Sequence, residues 1–212
     1  MDFLQIFTLI TGVLYIVLEI RQKNFMWVVG IATSLAAMWV FYQEGLYASF
    51  GLNTYYFITA FIGLWQWRRD KTALSSTSSV MSGEVGTPPS ETIVLNRLSW
   101  KTAIISAIIT AVGIPALMFL MRWLYDMGLL AENPMSLLDS AVAVLSAVAT
   151  WWLVKSYREQ WWLWIAADAM SVALCLTQKM WWMAVLYVAY VVAAAYGLHY
   201  WKKNGVYLTD TE

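Results

Sequence analysis

Charge is scarce in this chain. Asp, Glu, Lys and Arg make up 12% of 212 residues, with 13 basic against 13 acidic, so the formal net charge is +0. There is one cysteine and one histidine. A lone Cys175 inside an apolar run excludes a disulfide framework and a thiolate metal centre, and His199 alone makes no metal site, so none is expected. Motifs are missing too. No H-E-x-x-H, no paired intramembrane aspartates and no serine–histidine arrangement are present, which removes the usual routes to intramembrane catalysis. There is no phosphate-binding glycine loop, so any ATPase would be another chain. The last apolar run, Met180–Trp201, has no lysine, which excludes a retinal-type Schiff base there. Met1–Ile20 lacks a basic start and a small-residue cleavage site, so it reads as a retained first span and not a signal peptide.

What is abundant is apolar: hydrophobic residues are 61% of the chain and mean hydropathy is +0.60. A soluble domain of this size cannot hide that much apolar surface, which makes this an all-α polytopic membrane protein. Seven runs have about the length a bilayer core needs: Phe3–Ile20, Phe25–Gln43, Leu46–Trp67, Trp100–Trp123, Leu137–Val154, Gln160–Gln178 and Met180–Trp201. Most connections are short. The exceptions are a Ser/Thr/Gly/Pro-rich stretch at 71–98, read as a flexible solvated loop, and a second loop at 125–136. The expected division is a first three-helix repeat at 1–70, the loop at 71–98, a linker helix at 99–124 with Pro115 as a kink, the loop at 125–136, a second repeat at 137–203, and a tail at 204–212.

The basic residues fix an expected orientation. Arg122 and Lys179 flank one side of the spans. The other side holds Arg21, Lys23, Arg68, Arg69, Lys71, Arg97, Lys101, Lys155, Arg158, Lys202 and Lys203, eleven against two of the 13. The positive-inside rule puts the amino terminus outside and the carboxy terminus in the cytoplasm of a plasma membrane.

The chain also echoes itself. An offset of 137 aligns Arg21 with Arg158, Trp27 with Trp164 and Ser34 with Ser171. After a small gap, Gln43 pairs with Gln178, and then an offset of 134 pairs Tyr56 with Tyr190, Ala60 with Ala194, Gly63 with Gly197 and Trp67 with Trp201. Spans one to three thus resemble spans five to seven, with the fourth left over: a 3+1+3 arrangement of parallel repeats, in which a substrate sits near midplane at the repeat interface.

Helix faces nominate the lining. Trp161, Trp164 and Asp168 form one stripe, continued by Ser171, Cys175 and Gln178. An ionisable group at membrane depth marks a pathway or a ligand by default. A second stripe in the third span carries Asn53, Tyr56, Ala60, Gly63 and Trp67; its counterpart is Tyr187, Tyr190, Ala194, Gly197 and Trp201. The small residues would let helices approach closely. The candidate substrate contacts are Asp168, Trp164, Trp161, Asn53, Tyr56, Tyr187, Gln43 and Gln178, with Trp161 open to a second reading as an interfacial belt residue. In this alignment Asp168 faces Ile31 and Asn53 faces Tyr187, unlike groups suited to one asymmetric ligand.

Trp161-x-x-Trp164-x-x-x-Asp168, Gln43-x-x-Leu46-Tyr47-Ala48 and Gly63…Trp67 resemble the PnuC family of vitamin-precursor transporters over nearly the whole chain except 71–98. One departure is Leu64, where the family pattern has tryptophan. The resemblance implies a SWEET-like fold and uptake of nicotinamide riboside by facilitated diffusion. It further implies trapping by a cytoplasmic kinase, a homotrimer, and no enzymatic activity or cofactor. Alternatives are a thiamine carrier of the same family and the substrate-binding subunit of an ATP-driven importer. Nicotinamide riboside and thiamine both pair a cationic aromatic ring with hydroxyls. Tryptophan faces attract such rings, and Asn53, Gln43 and Gln178 offer donors and acceptors. A phosphorylated ligand would want a basic residue at depth, and no span has one near its centre.

Overall fold

Each apolar run of the sequence closes its own backbone hydrogen bonds as a helix, the one open-ended structure that hydrocarbon tolerates. A computed structural model describes residues 3–43, 47–82, 92–129, 136–179 and 181–208. Seven helices lie among them: α1 (Phe3–Ile20), α2 (Phe25–Gln43), α3 (Tyr47–Ser82), α4 (Trp100–Asp126), α5 (Ser136–Val154), α6 (Gln160–Thr177) and α7 (Trp181–Asn204). Two short strands, β1 (Ile93–Leu95) and β2 (Gly205–Tyr207), pair in parallel, Val94 opposite Val206. By length and composition α4, Leu137–Val154 and Met183–Asn204 are each apolar enough to cross a membrane. Pro115 lies inside α4.

The stretch 71–98 departs from its reading as a flexible loop. α3 runs 36 residues, about 54 Å at 1.5 Å per residue, against a hydrocarbon core of about 30 Å. No glycine or proline interrupts it between Gly63 and Ser82, so nothing stops the helix where the apolar run ends. Farther on, Ile93, Val94 and Leu95 are buried to 0%, 1% and 1% exposure as β1. The tail begins as β2.

The chain divides into two compact units. One comprises Met1–Arg97, Thr150–Arg158 and His199–Glu212. In it α2 packs along α3, and α1 packs on α2. The Trp27 ring sits directly over Gly63, where any Cβ would collide with it, and meets Trp67 edge-on at 5.0 Å. Trp67 Nε1 donates to Leu153 O (3.1 Å) and Trp201 Nε1 to Ile20 O (2.9 Å), so two buried indoles satisfy carbonyls freed at the ends of α5 and α1. The other unit comprises Leu98–Ala149 and Glu159–Leu198. Here Gly113 faces Val144 and Gly197 faces the Trp161 ring, which a Cβ would meet at 2.6 Å. The glycines Gly63 and Gly197 admit tryptophan rings, a sharper use of small residues than helix approach alone.

The internal echo has a different register in the structure. Gln22 and Ser156, separated by 134, both take left-handed backbone (φ 48° and 55°). Their turns share the same bonds: Arg21 N to Val17 O and Lys155 N to Trp151 O, Gln22 N to Glu19 O and Ser156 N to Leu153 O, Lys23 N to Leu18 O and Tyr157 N to Trp152 O. Trp27 over Gly63 and Trp161 over Gly197 keep that spacing of 134. The partner of Trp27 is therefore Trp161, not Trp164. The partner of Asp168 is Ser34, not Ile31, and both are buried, at 8% and 5% exposure. Residue identity favoured Trp164; packing decides for Trp161.

Candidate functional site

α6 presents its stripe as the sequence requires. Trp161 (1% exposed), Asp168 (8%), Ser171 (3%) and Cys175 (5%) are buried, and Trp164 is half-buried between them. Ser171 Oγ donates to Ala167 O at 2.9 Å and so spends its hydroxyl within the helix. Asp168 is different: none of the described residues donates to it or ion-pairs with it. One turn earlier, the buried Trp164 Nε1 has no hydrogen-bond partner among them either. Buried polar groups are normally paired, and an ionised acid removed from water without a partner is costly. Trp164 and Asp168, at i and i+4, share one face of α6 and form the candidate binding feature there.

α7 adds aromatic walls within the same unit. Tyr187 and Tyr190 are half-buried and meet edge-on at 6.0 Å. Both lie within electrostatic reach of Asp168, and Tyr187 also within reach of Cys175 and of Asp139 in the first turn of α5. Asp168, Trp164 and Tyr187 are thus gathered as the sequence anticipates. Tyr190 and Asp139 join the neighbourhood. Tyr190 is the next step of the Tyr187 stripe, whereas Asp139, in a helix first turn, gives no signal in the sequence beyond its charge.

The remaining candidates fall elsewhere. Trp161 is buried, with its ring packed over Gly197. Gln178 caps α6, its backbone N–H donating to Leu174 O at 3.1 Å, and is exposed. Asn53 and Tyr56 belong to the other unit, half-buried on α3 with Tyr55 5.7 Å from Tyr56, and both are engaged by neighbours. The side chain of Gln43 lies outside the described residues. No cluster of metal-binding residues occurs among the described ones. Beyond the apolar part of α3, Lys71 Nζ donates to Gln22 O at 2.6 Å. Burial, with Lys23 nearby, pushes its ammonium below the usual lysine range.

The described helices, three of them apolar enough to cross a membrane, define a multi-pass helical membrane protein, and Asp168 with the nearby indole and phenol rings forms its candidate site. Residues 2–203 match the family described as nicotinamide mononucleotide transporters, so the chain belongs to that transporter family, which is not a family of enzymes. It is 25% identical over 204 residues to the nicotinamide riboside transporter PnuC of Neisseria mucosa, covering 92% of this chain and 70% of that one. To the PnuC of Haemophilus influenzae it is 24% identical over 196 residues, covering 92% and 76%. The crystal structure of the vitamin B3 transporter PnuC superposes with a TM-score of 0.64 at 23% identity, over 97% of this chain and 81% of that one. The fold is therefore shared with a solved transporter.

Proposed function

We propose that this chain carries nicotinamide riboside across the membrane. The observation that supports this most is Asp168 on one helix face with Trp164, neither hydrogen-bonded by any of the described residues. A nicotinamide ring with its fixed positive charge satisfies the acid, and tryptophan and tyrosine faces bind such a ring by cation–π contact, about 2 kcal/mol when desolvated. The family description names a mononucleotide, but a phosphate would bring at least one further negative charge to a neighbourhood already holding Asp168 and Asp139. The middles of the spans offer no basic residue in exchange. The dephosphorylated riboside is the better fit.

The carrier works by alternating access in two three-helix repeats, α1–α3 and α5–α7, joined by α4; the recurrence of turns and tryptophan–glycine contacts at 134 supports this division. Transport is facilitated diffusion, with a cytoplasmic kinase trapping the product. The protein sits in a plasma membrane; the eleven-to-two charge count supports an orientation with the amino terminus outside and 71–98 in the cytoplasm. A trimer, as the family resemblance implies, is the working assembly. Titration calorimetry of the purified protein tests the ligand. Nicotinamide riboside should bind at least tenfold more tightly than thiamine or the mononucleotide. Tighter thiamine binding would make this a thiamine carrier, and tighter mononucleotide binding would refute the charge argument.

A further inference from the structure

The buried tripeptide Ile93–Leu95 lies far along the chain from every helix end it touches, and an apolar strand held at 0–1% exposure needs a reason. On one side it is bound through backbone. β1 runs parallel to β2 through three register pairs. Asn96 N donates to Ser156 O (3.2 Å), Asn96 Nδ2 to Lys155 O (2.9 Å), and Asn96 bridges Tyr157. Gly205 has no room for a Cβ against the Leu95 side chain and Trp201 O. These partners follow α5 and α7. On the other side the bonds run through side chains only. The buried Gln22 amide imitates a neighbouring strand, accepting from Val94 N (2.7 Å) and donating to Val94 O (2.8 Å). Asp70, held by Gln66 Nε2 at 2.9 Å, accepts from Asn96 Nδ2 at 3.0 Å. These partners follow or lie on α1 and α3. Gln22 Nε2 also reaches Ser156 Oγ at 3.2 Å, joining the two equivalent left-handed turns directly.

We infer that Ile93–Asn96 is a releasable strap across the ends of α1, α5 and α7 and the flank of α3 at Asp70. It stays with β2 and the turn after α5, and lets go of Gln22 and Asp70 whenever that end of the carrier opens. The asymmetry of bonding sets the direction. A parallel ladder with a tight glycine seat holds more strongly than three side-chain hydrogen bonds, each worth about 1 kcal/mol net. Closure at this end restores a fully satisfied buried network, which makes the closed state discrete and not gradual. The inference rests on the transport reading above only in requiring that these helix ends part during a cycle.

Reversible cross-links test it. The double variant Asp70→Cys with Asn96→Cys, oxidised, ties the strap to α3. Uptake of nicotinamide riboside into vesicles should fall at least tenfold and return on reduction. The double variant Val94→Cys with Val206→Cys ties the strap to β2, and its oxidised form should keep transporting. Undiminished uptake with the first link closed, or arrest by the second, overturns the strap. A third variant needs no link: Gln22→Leu removes both amide contacts to Val94, and the one to Ser156 with them. Hydrogen exchange at Val94 and Asn96 should then accelerate at least tenfold in a protein that still binds the riboside, and unchanged exchange would refute the release direction. Absence of uptake in the unsubstituted protein would count against the transport reading instead, leaving the exchange measurement to judge the strap.

Discussion

Replacing Asp168 with asparagine separates a ligand's counter-charge from a structural acid. The substitution keeps shape and hydrogen-bonding atoms and removes only the charge. No described residue pairs with Asp168, which is 8% exposed, so among the described residues its charge holds no partner. Folding should not suffer, and the melting temperature should hold or rise, since an uncompensated buried charge is relieved. The ligand loses a charge-assisted contact worth about 1.5–3 kcal/mol, about ten- to a hundredfold in Kd. Calorimetric titration and a thermal melt on the same preparation provide both readings. A protein that binds as tightly as the parent would show that the rings alone recognise the solute. A drop in melting temperature without loss of affinity would make Asp168 a structural acid, refuting the reasoning from its missing partner.

Other consequences are equally concrete. Trp164→Phe keeps a weaker ring face and loses the unspent donor, so affinity should fall by about 1 kcal/mol, roughly fivefold, less than for Asp168→Asn; an equal or larger loss by titration would reverse that ranking. Gly197→Ala places a Cβ 2.6 Å from the Trp161 ring and should destabilise by about 1–3 kcal/mol through overpacking, read as a lowered melting temperature; an unchanged melt would mean the Trp161 ring shifts freely. Trp201→Phe leaves Ile20 O without its 2.9 Å donor and should cost about 1–3 kcal/mol, read by chemical unfolding, where a neutral result would mean another donor replaces it. A cysteine introduced as Ser79→Cys should resist an impermeant thiol reagent in intact cells, and labelling from outside would invert the proposed orientation.

Hydropathy made the helices legible because length and apolarity are what the bilayer demands of a span. α1 and α2 begin and end where the apolar runs do. Hydropathy reports where a chain leaves the membrane, not where a helix stops, so the continuation of α3 to Ser82 was invisible to it. The better signal was the absence of glycine and proline before Gly83. β1 was written as Ile93-Val94-Leu95, an apolar tripeptide with two β-branched residues inside a polar stretch, but a three-residue strand is stable only through distant partners such as Gln22 and Gly205. The site was half legible. Asp168 and Trp164 announce themselves by residue type and spacing, whereas Trp161 carries the same residue type one turn away and is packed over Gly197. That distinction depends on which glycine faces which ring, and so does the repeat register of 134.

The central claim is that this chain by itself carries a dephosphorylated nicotinamide nucleoside. Purified protein in sealed liposomes, with no ATP, ion gradient or partner chain, should take up labelled nicotinamide riboside saturably until inside and outside concentrations match, at a rate the Asp168→Asn variant reduces at sub-saturating substrate. Uptake no faster than into protein-free liposomes, by a preparation that still binds the riboside, would contradict it and leave a binding subunit that needs an external motor.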